Sequence, residues 1–190
     1  VATATFSSGI FYAFLGGAPF VGSVVLNMTP AMLGLNFFLF AAGFMAGNFL
    51  SGRYARRFGI TRMMLGGNVL GIIGIALTFL LTLSFPGSPL AFFGPFFLVG
   101  IGNGLTLPSA NAGMVSVRPH MAGAASGLGG AITVGGGALL AIVAGAILSE
   151  EAGAIPLLVL MGISALLAIL SSEFVRRIDL EEGFSASEAR

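Results

Sequence analysis

Residues 47–64 read GNFLSGRYARRFGITRMM. Arg53, Arg56, Arg57 and Arg62 crowd into this stretch, although the 190-residue chain holds only 8 basic residues, every one an arginine. Apolar runs rich in Phe, Leu and Gly flank it on both sides. Cations packed between two runs almost bare of charge mark a place where a chain leaves lipid and re-enters it. The fold therefore turns on whether the other arginines keep the same rhythm.

They do. Six apolar stretches are near or above the about 20 residues that a helix needs to cross a bilayer: residues 5–26, 31–51, 63–84, 89–117, 122–148 and 154–172. The second ends at the cluster, the fourth ends at Arg118 beside His120, and the sixth is followed by Arg176, Arg177 and Arg190. The junctions between them carry no basic residue, and one holds Glu150 and Glu151. Every even-numbered span thus exits on one basic side. By the positive-inside rule that side is cytoplasmic, so both ends of this chain are expected there. A missed or extra span would break the alternation. The runs are continuous and too long for barrel strands. The expected fold is an all-α integral membrane protein, with six transmembrane helices over residues 1–172 and a cytoplasmic tail over 173–190. Turn chemistry agrees, with NMTP at 27–30, FPGSP at 85–89 and SEEAG at 149–153.

Composition points the same way. Charged residues are 8% of the chain, against roughly 25% in soluble domains. Hydrophobic residues are 56%, and mean hydropathy is +1.03. A net charge of +1 gives no electrostatic case for nucleic acid. With no cysteine there is no disulfide, thiol or cysteine-metal chemistry, and no cofactor is expected. The chain begins with Val1, and no basic segment precedes the first apolar run. It reads as a piece or processed product of a longer chain rather than one with a secretory leader.

Small residues recur four apart within the spans: Gly43 and Gly47, Gly67 and Gly71, Ser126 and Gly130. Such spacing lets helix backbones approach closely. Gly135, Gly136 and Gly137 stand in a row and invite bending. Pro19 follows Gly16 and Gly17 in the first span, while Pro95 and Pro108 bracket the glycines at 100–104 in the fourth. Each proline frees a carbonyl one turn back; any one alone is compatible with a static kink, and broken helices of this type often line a transport path. Gly52 and Gly59 are expected to make a tight turn around the arginines. The arginines by themselves fit a topology anchor as well as they fit a gate.

Polar residues inside the spans are few. Asn48 and Asn68, near helix ends, are assigned to helix packing. Asn36, Asn103 and Asn111 are assigned to a cavity, the last two being eight apart on one helix face. Tyr12 is a further polar residue of the spans, while Phe11, Phe14, Phe20, Phe37 and Phe40 could form an aromatic wall, although lipid contact is the commoner fate of a single Phe. No Arg, Asp or Glu lies in the middle of a span, so no intramembrane proton relay is visible. His120 falls in a loop and reads as interfacial.

Four stretches carry a family resemblance: FYAFLGGAPFVG at 11–22, GFMAGNFLSGRYARRFG at 43–59, GIGNGLTLPSANAGMVSVRPHMAGAASGLGG at 100–130, and the glycine-rich run to Gly145. They resemble the C-terminal half, helices seven to twelve, of a major facilitator superfamily transporter, most closely the Bcr/CflA-type drug–proton antiporters. The family's loop motif, Gly-x-x-x-Asp-Arg-x-Gly-x-x-Arg, is matched by Gly52, Arg57, Gly59 and Arg62. Arg56 stands where the acid belongs, which leaves this copy an anchor and hinge.

The resemblance implies one half of a multidrug efflux transporter in a bacterial inner membrane, exporting small amphipathic drugs against protons by alternating access. It implies a missing N-terminal six-helix half that carries the proton-binding acid, with lipid around both. It also implies a substrate wall of Tyr12, Phe20, Asn36, Phe40, Asn103 and Asn111. Pro19, Gly52, Arg53, Arg57, Gly59, Arg62, Pro108, Gly135 and Gly136 are the expected gate and hinge positions.

Rival classes fit less well. An intramembrane serine protease needs a histidine deep in a helix. A water channel needs twin Asn-Pro-Ala signatures, and charged selectivity rings are not visible. A stand-alone six-span protein remains open, as a channel or as a parallel dimer of half-transporters.

Overall fold

The computed structural model describes residues 1–116 and 122–188, with side chains for 1–115 and 122–178. Arg118, His120 and Arg190 lie outside the described residues. Helix α1 spans Ala2–Phe20 and continues into a π-helical turn at Val21–Val25. Then follow α2 at Pro30–Phe58, α3 at Ile60–Ser84, the short α4 at Pro89–Phe93, α5 at Phe96–Ser116, α6 at Ala122–Ile147 and α7 at Ile155–Glu188. They make 6 stretches long and apolar enough to cross a membrane, with α4 and α5 sharing one.

The expected turns are where the chemistry put them. Thr29 caps α2, its hydroxyl accepting from the Met32 N–H at 3.3 Å, with Pro30 at the first helical position. Ser88 does the same for α4 ahead of Pro89. The fourth span breaks at Gly94 and Pro95, where the ring has no N–H to continue the ladder.

Two boundaries differ most from the sequence reading. Helix α2 runs seven residues past the expected end at 51, through Arg53, Arg56 and Arg57. Arginine is a good helix former, and its cations lie at the helix C-terminus, where the dipole favours them. Gly52 is therefore a helical residue and makes no turn. Gly59 alone reverses the chain, at φ 85°, and α3 begins at the next residue. Likewise α7 continues beyond residue 172 to Glu188, and Glu173 pairs with Arg176 at 2.5 Å along it.

Helix α1 packs against α6 and α7, and α5 packs against α2 and α3; α3 also meets α7, and α1 meets α5. These contacts form a symmetric set, which α5 breaks by also touching α6 without an equal contact between α1 and α2. Exchanging the first three spans for the last three turns the α5 contacts into the α1 contacts and maps the other two pairs onto themselves. An odd number of spans inverts the second triplet in the membrane, so this is an inverted repeat. The centre is α1 and α5, and the least enclosed spans are α2 and α6, 17% and 11% buried.

Packing differs between the two ends. Helices α2 and α5 touch backbone to backbone. A Cβ on Gly43 would strike the Phe97 carbonyl oxygen, and one on Gly100 would strike that of Phe40. Toward the basic end, polar side chains bridge helices. Asn68 donates to Ser172 Oγ at 2.7 Å and accepts from Thr106 at 3.3 Å, and Ser51 meets Ser109 at 3.3 Å. Toward the far end the contacts are aromatic, with Phe14 4.4 Å from Phe96 and 4.8 Å from Phe37, ring centre to ring centre.

Candidate functional site

The spacing of residues on four helices builds one cavity of about 690 Å³. Ser8, Phe11, Tyr12 and Leu15 recur at helical intervals on α1, with Phe14 beside them. On α2 the lining is Gly34, Phe37, Phe38, Phe40, Ala41 and Phe44; on α5 it is Asn103, Leu107 and Asn111, each four apart; α6 adds Thr133. One wall, from α2, is apolar and aromatic. The polar groups come from the other three helices. No Arg, Asp, Glu or His is among the described lining residues.

Tyr12, Phe40, Asn103 and Asn111 thus meet at one cavity. Phe40 stacks on Phe11 at 5.2 Å and on Phe14 at 5.3 Å, which holds the aromatic wall in place. Asn103 is almost wholly buried, 2% exposed, and its Oδ1 accepts from the Ser7 hydroxyl at 3.1 Å. That bond fixes the amide plane and leaves its N–H donors without a protein partner among the described residues. Asn111 is exposed at the cavity.

Phe20 and Asn36 are not brought to the cavity. Phe20 lies at the end of α1, beyond the lining face. The Asn36 amide donates one N–H to the Met32 carbonyl of its own helix at 2.8 Å, and the residue does not line the cavity. Asn68 is the packing residue that its place near a helix end suggested. Ser8, Phe38, Phe44 and Thr133 were missed as lining residues. Phe44 was within reach of a sequence argument, being one turn from Phe40. Thr133 was not, because nothing in α6 marks which face turns inward.

The expected hinges are less broken than their composition suggests. Pro19 lies inside α1 and is followed directly by the π-helical turn, in which Ser23 donates to the Pro19 carbonyl at 2.7 Å. Such turns collect at functional positions. Pro108 sits in an uninterrupted α5. Gly135 and Gly136 sit in an uninterrupted α6, and a Cβ there would meet open space at Gly135 and the Thr5 side chain at Gly136. Gly137 makes room for the Tyr12 ring.

Arg53, Arg57 and Arg62 are exposed at the basic end, with no ion pair among the described residues. Arg57 rests 5.6 Å over the ring of Phe58.

A half-open aromatic cavity with hydrogen-bonding groups on one side can hold a small ligand that has a flat apolar face and a polar edge. Residues 1–188 match the family model described as Major Facilitator Superfamily. No curated protein matches the chain.

Proposed function

The chain belongs to the Major Facilitator Superfamily, a family of membrane transporters, and from that premise we propose that it is the C-terminal half of a drug–proton antiporter of the Bcr/CflA type. It supplies one wall of a central cavity, and a six-helix N-terminal half supplies the other wall and the proton-binding acid. Substrates are small amphipathic drugs, moved outward from the cytoplasm of a bacterial cell as the halves rock about the site. Tyr12, Phe40, Asn103 and Asn111 contact substrate. Pro19, Gly59, Pro108, Gly135 and Gly136 are the points at which the helices give during the motion, while Gly52, Arg53, Arg57 and Arg62 sit at the cytoplasmic gate.

The observation that carries this reading is the cavity itself. It lies against the two central helices and is flanked by α2 and α6, the spans with the least cover of their own. In this reading a second body closes that surface.

The test is efflux. The full-length gene, expressed in cells stripped of other exporters, is expected to lower chloramphenicol accumulation, and collapse of the proton gradient is expected to abolish the effect. Equal accumulation with and without the gene would remove drug export from consideration. Export that survives loss of the proton gradient would remove proton coupling and leave the cavity assignment standing.

A further inference from the structure

Hydroxyl side chains in these spans have a default partner. Ser8, Ser23, Thr78 and Ser172 each donate to the carbonyl four residues earlier, at 2.7, 2.7, 3.0 and 2.9 Å. Thr133 does not. The Gly129 carbonyl stands at the same offset on α6, yet the Thr133 hydroxyl oxygen is buried with no partner among the described residues. A hydroxyl left unpaired in apolar surroundings is costly, and in a helix the remedy is normally one side-chain rotation away. Thr133 is also the residue that α6 contributes to the cavity.

We propose that Thr133 is a ligand-contacting, selectivity-determining residue of this cavity. Its hydroxyl is held back for a hydrogen bond to a ligand bearing hydroxyl, amide or carbonyl groups. Threonine in a helix uses two side-chain wells, and turning between them exchanges methyl for hydroxyl on the cavity wall. The ligand's polar edge then lies between Thr133 on α6 and Asn103 and Asn111 on α5, with its flat face on the phenylalanines of α2. The described lining offers dipoles and aromatic faces and no charged side chain, so this wall holds the ligand by hydrogen bonds and stacking and makes no ion pair with it. The ligand class rests on the transport reading above; the place of Thr133 rests on the cavity and the orphan hydroxyl. Thr82 supplies the control, since its hydroxyl is likewise buried and unpartnered but it is not a lining residue.

This chain has no cysteine, so Thr133→Cys provides a reporter in the full-length protein freed of any other cysteine. A water-soluble thiol reagent is expected to label Cys at 133, and chloramphenicol to slow that labelling. Thr82→Cys is expected to show no such protection. In parallel, Thr133→Val is expected to weaken chloramphenicol binding about three- to tenfold at unchanged expression, while Thr133→Ser stays close to wild type. An unreactive or unprotected cysteine at 133, or Thr133→Val binding like wild type, overturns the inference. Protection at 133 in a protein that exports no chloramphenicol sinks the transport reading and keeps this one. Normal export by Thr133→Val, with unaltered affinity, does the reverse.

Discussion

Asn68 and Asn111 are the same residue type in apolar helices, and they do different work. The Asn68 amide bonds Ser172, Ala168 and Thr106, three partners on two other helices. Asn111 meets the cavity. Asn68→Ala is therefore expected to cost about 1–3 kcal/mol, because it removes three buried hydrogen bonds that tie α3 to α5 and α7, and to lower the unfolding temperature in detergent. Asn111→Ala is expected to stay within about 0.5 kcal/mol of wild type while drug export falls. An Asn111→Ala protein that exports normally would remove that residue from the substrate wall. Asn103→Ala is the less clean test, since it also strips the Ser7 hydroxyl of its acceptor. Tyr12 and Gly137 form a further pair. A Cβ at 137 would enter the Tyr12 ring, so Gly137→Ala is expected to push that ring and weaken ligand binding.

At the scale of the element, the glycines divide by what lies opposite them. Gly43, Gly47, Gly100 and Gly104 set α2 directly on the α5 backbone, where neither chain can retreat. Gly100→Val is expected to destabilise the protein by at least about 2 kcal/mol, seen as lost expression or early unfolding. Gly135 faces open space. There, Ala should raise helix stability by up to about 1 kcal/mol. If α6 bends at this point during transport, the same change slows export. A Gly135→Ala variant that is more stable and exports at the wild-type rate would leave α6 a straight strut. The proposed hinge at Gly59, whose φ of 85° only glycine adopts easily, is testable in the same way: Gly59→Ala is expected to disturb the α2–α3 reversal, and Gly52→Ala is not.

At the scale of the whole molecule, the inverted repeat leaves α1 and α5 at the centre and α2 and α6 with the least cover. Large apolar side chains are exposed along both, including Leu35, Phe38, Met45 and Phe49 on α2 and Leu128, Leu139 and Ile142 on α6. Single cysteines on those faces are expected to crosslink to the N-terminal half of the full-length protein. Crosslinks between two copies of this chain would instead favour a parallel dimer of halves. The arginine pattern makes a topology prediction too. Tyr54→Cys is expected to react with impermeant reagents only from the cytoplasmic side, and Ser88→Cys only from outside. Labelling of both from one side would contradict an odd number of crossings between them.

How much was legible beforehand depends on the dimension of the question. Span count, their approximate ends and the turns at Thr29, Ser88 and Ser149 follow from quantities read along one line: apolar length, arginine placement, and the residues that turns require. The extra length of α2 was misread because Gly52 looked like punctuation, while the arginines after it are as helical as the span before. The rotation of each helix about its axis was not legible. In a soluble protein a polar face and an apolar face reveal it, but lipid and protein interior are both apolar, and the pattern that would mark the inward face is almost erased. That is why Tyr12, Phe40, Asn103 and Asn111 were found by their polarity or aromatic character, Asn36 was placed at a cavity it does not reach, and Thr133 passed unnoticed. By itself the sequence determined that this chain has six stretches long and apolar enough to cross a membrane and that its arginines gather at alternate junctions between them, since charge and apolar length act locally. Only the tertiary structure decided which side chains share the cavity, because close backbone contact between helices sets their rotation.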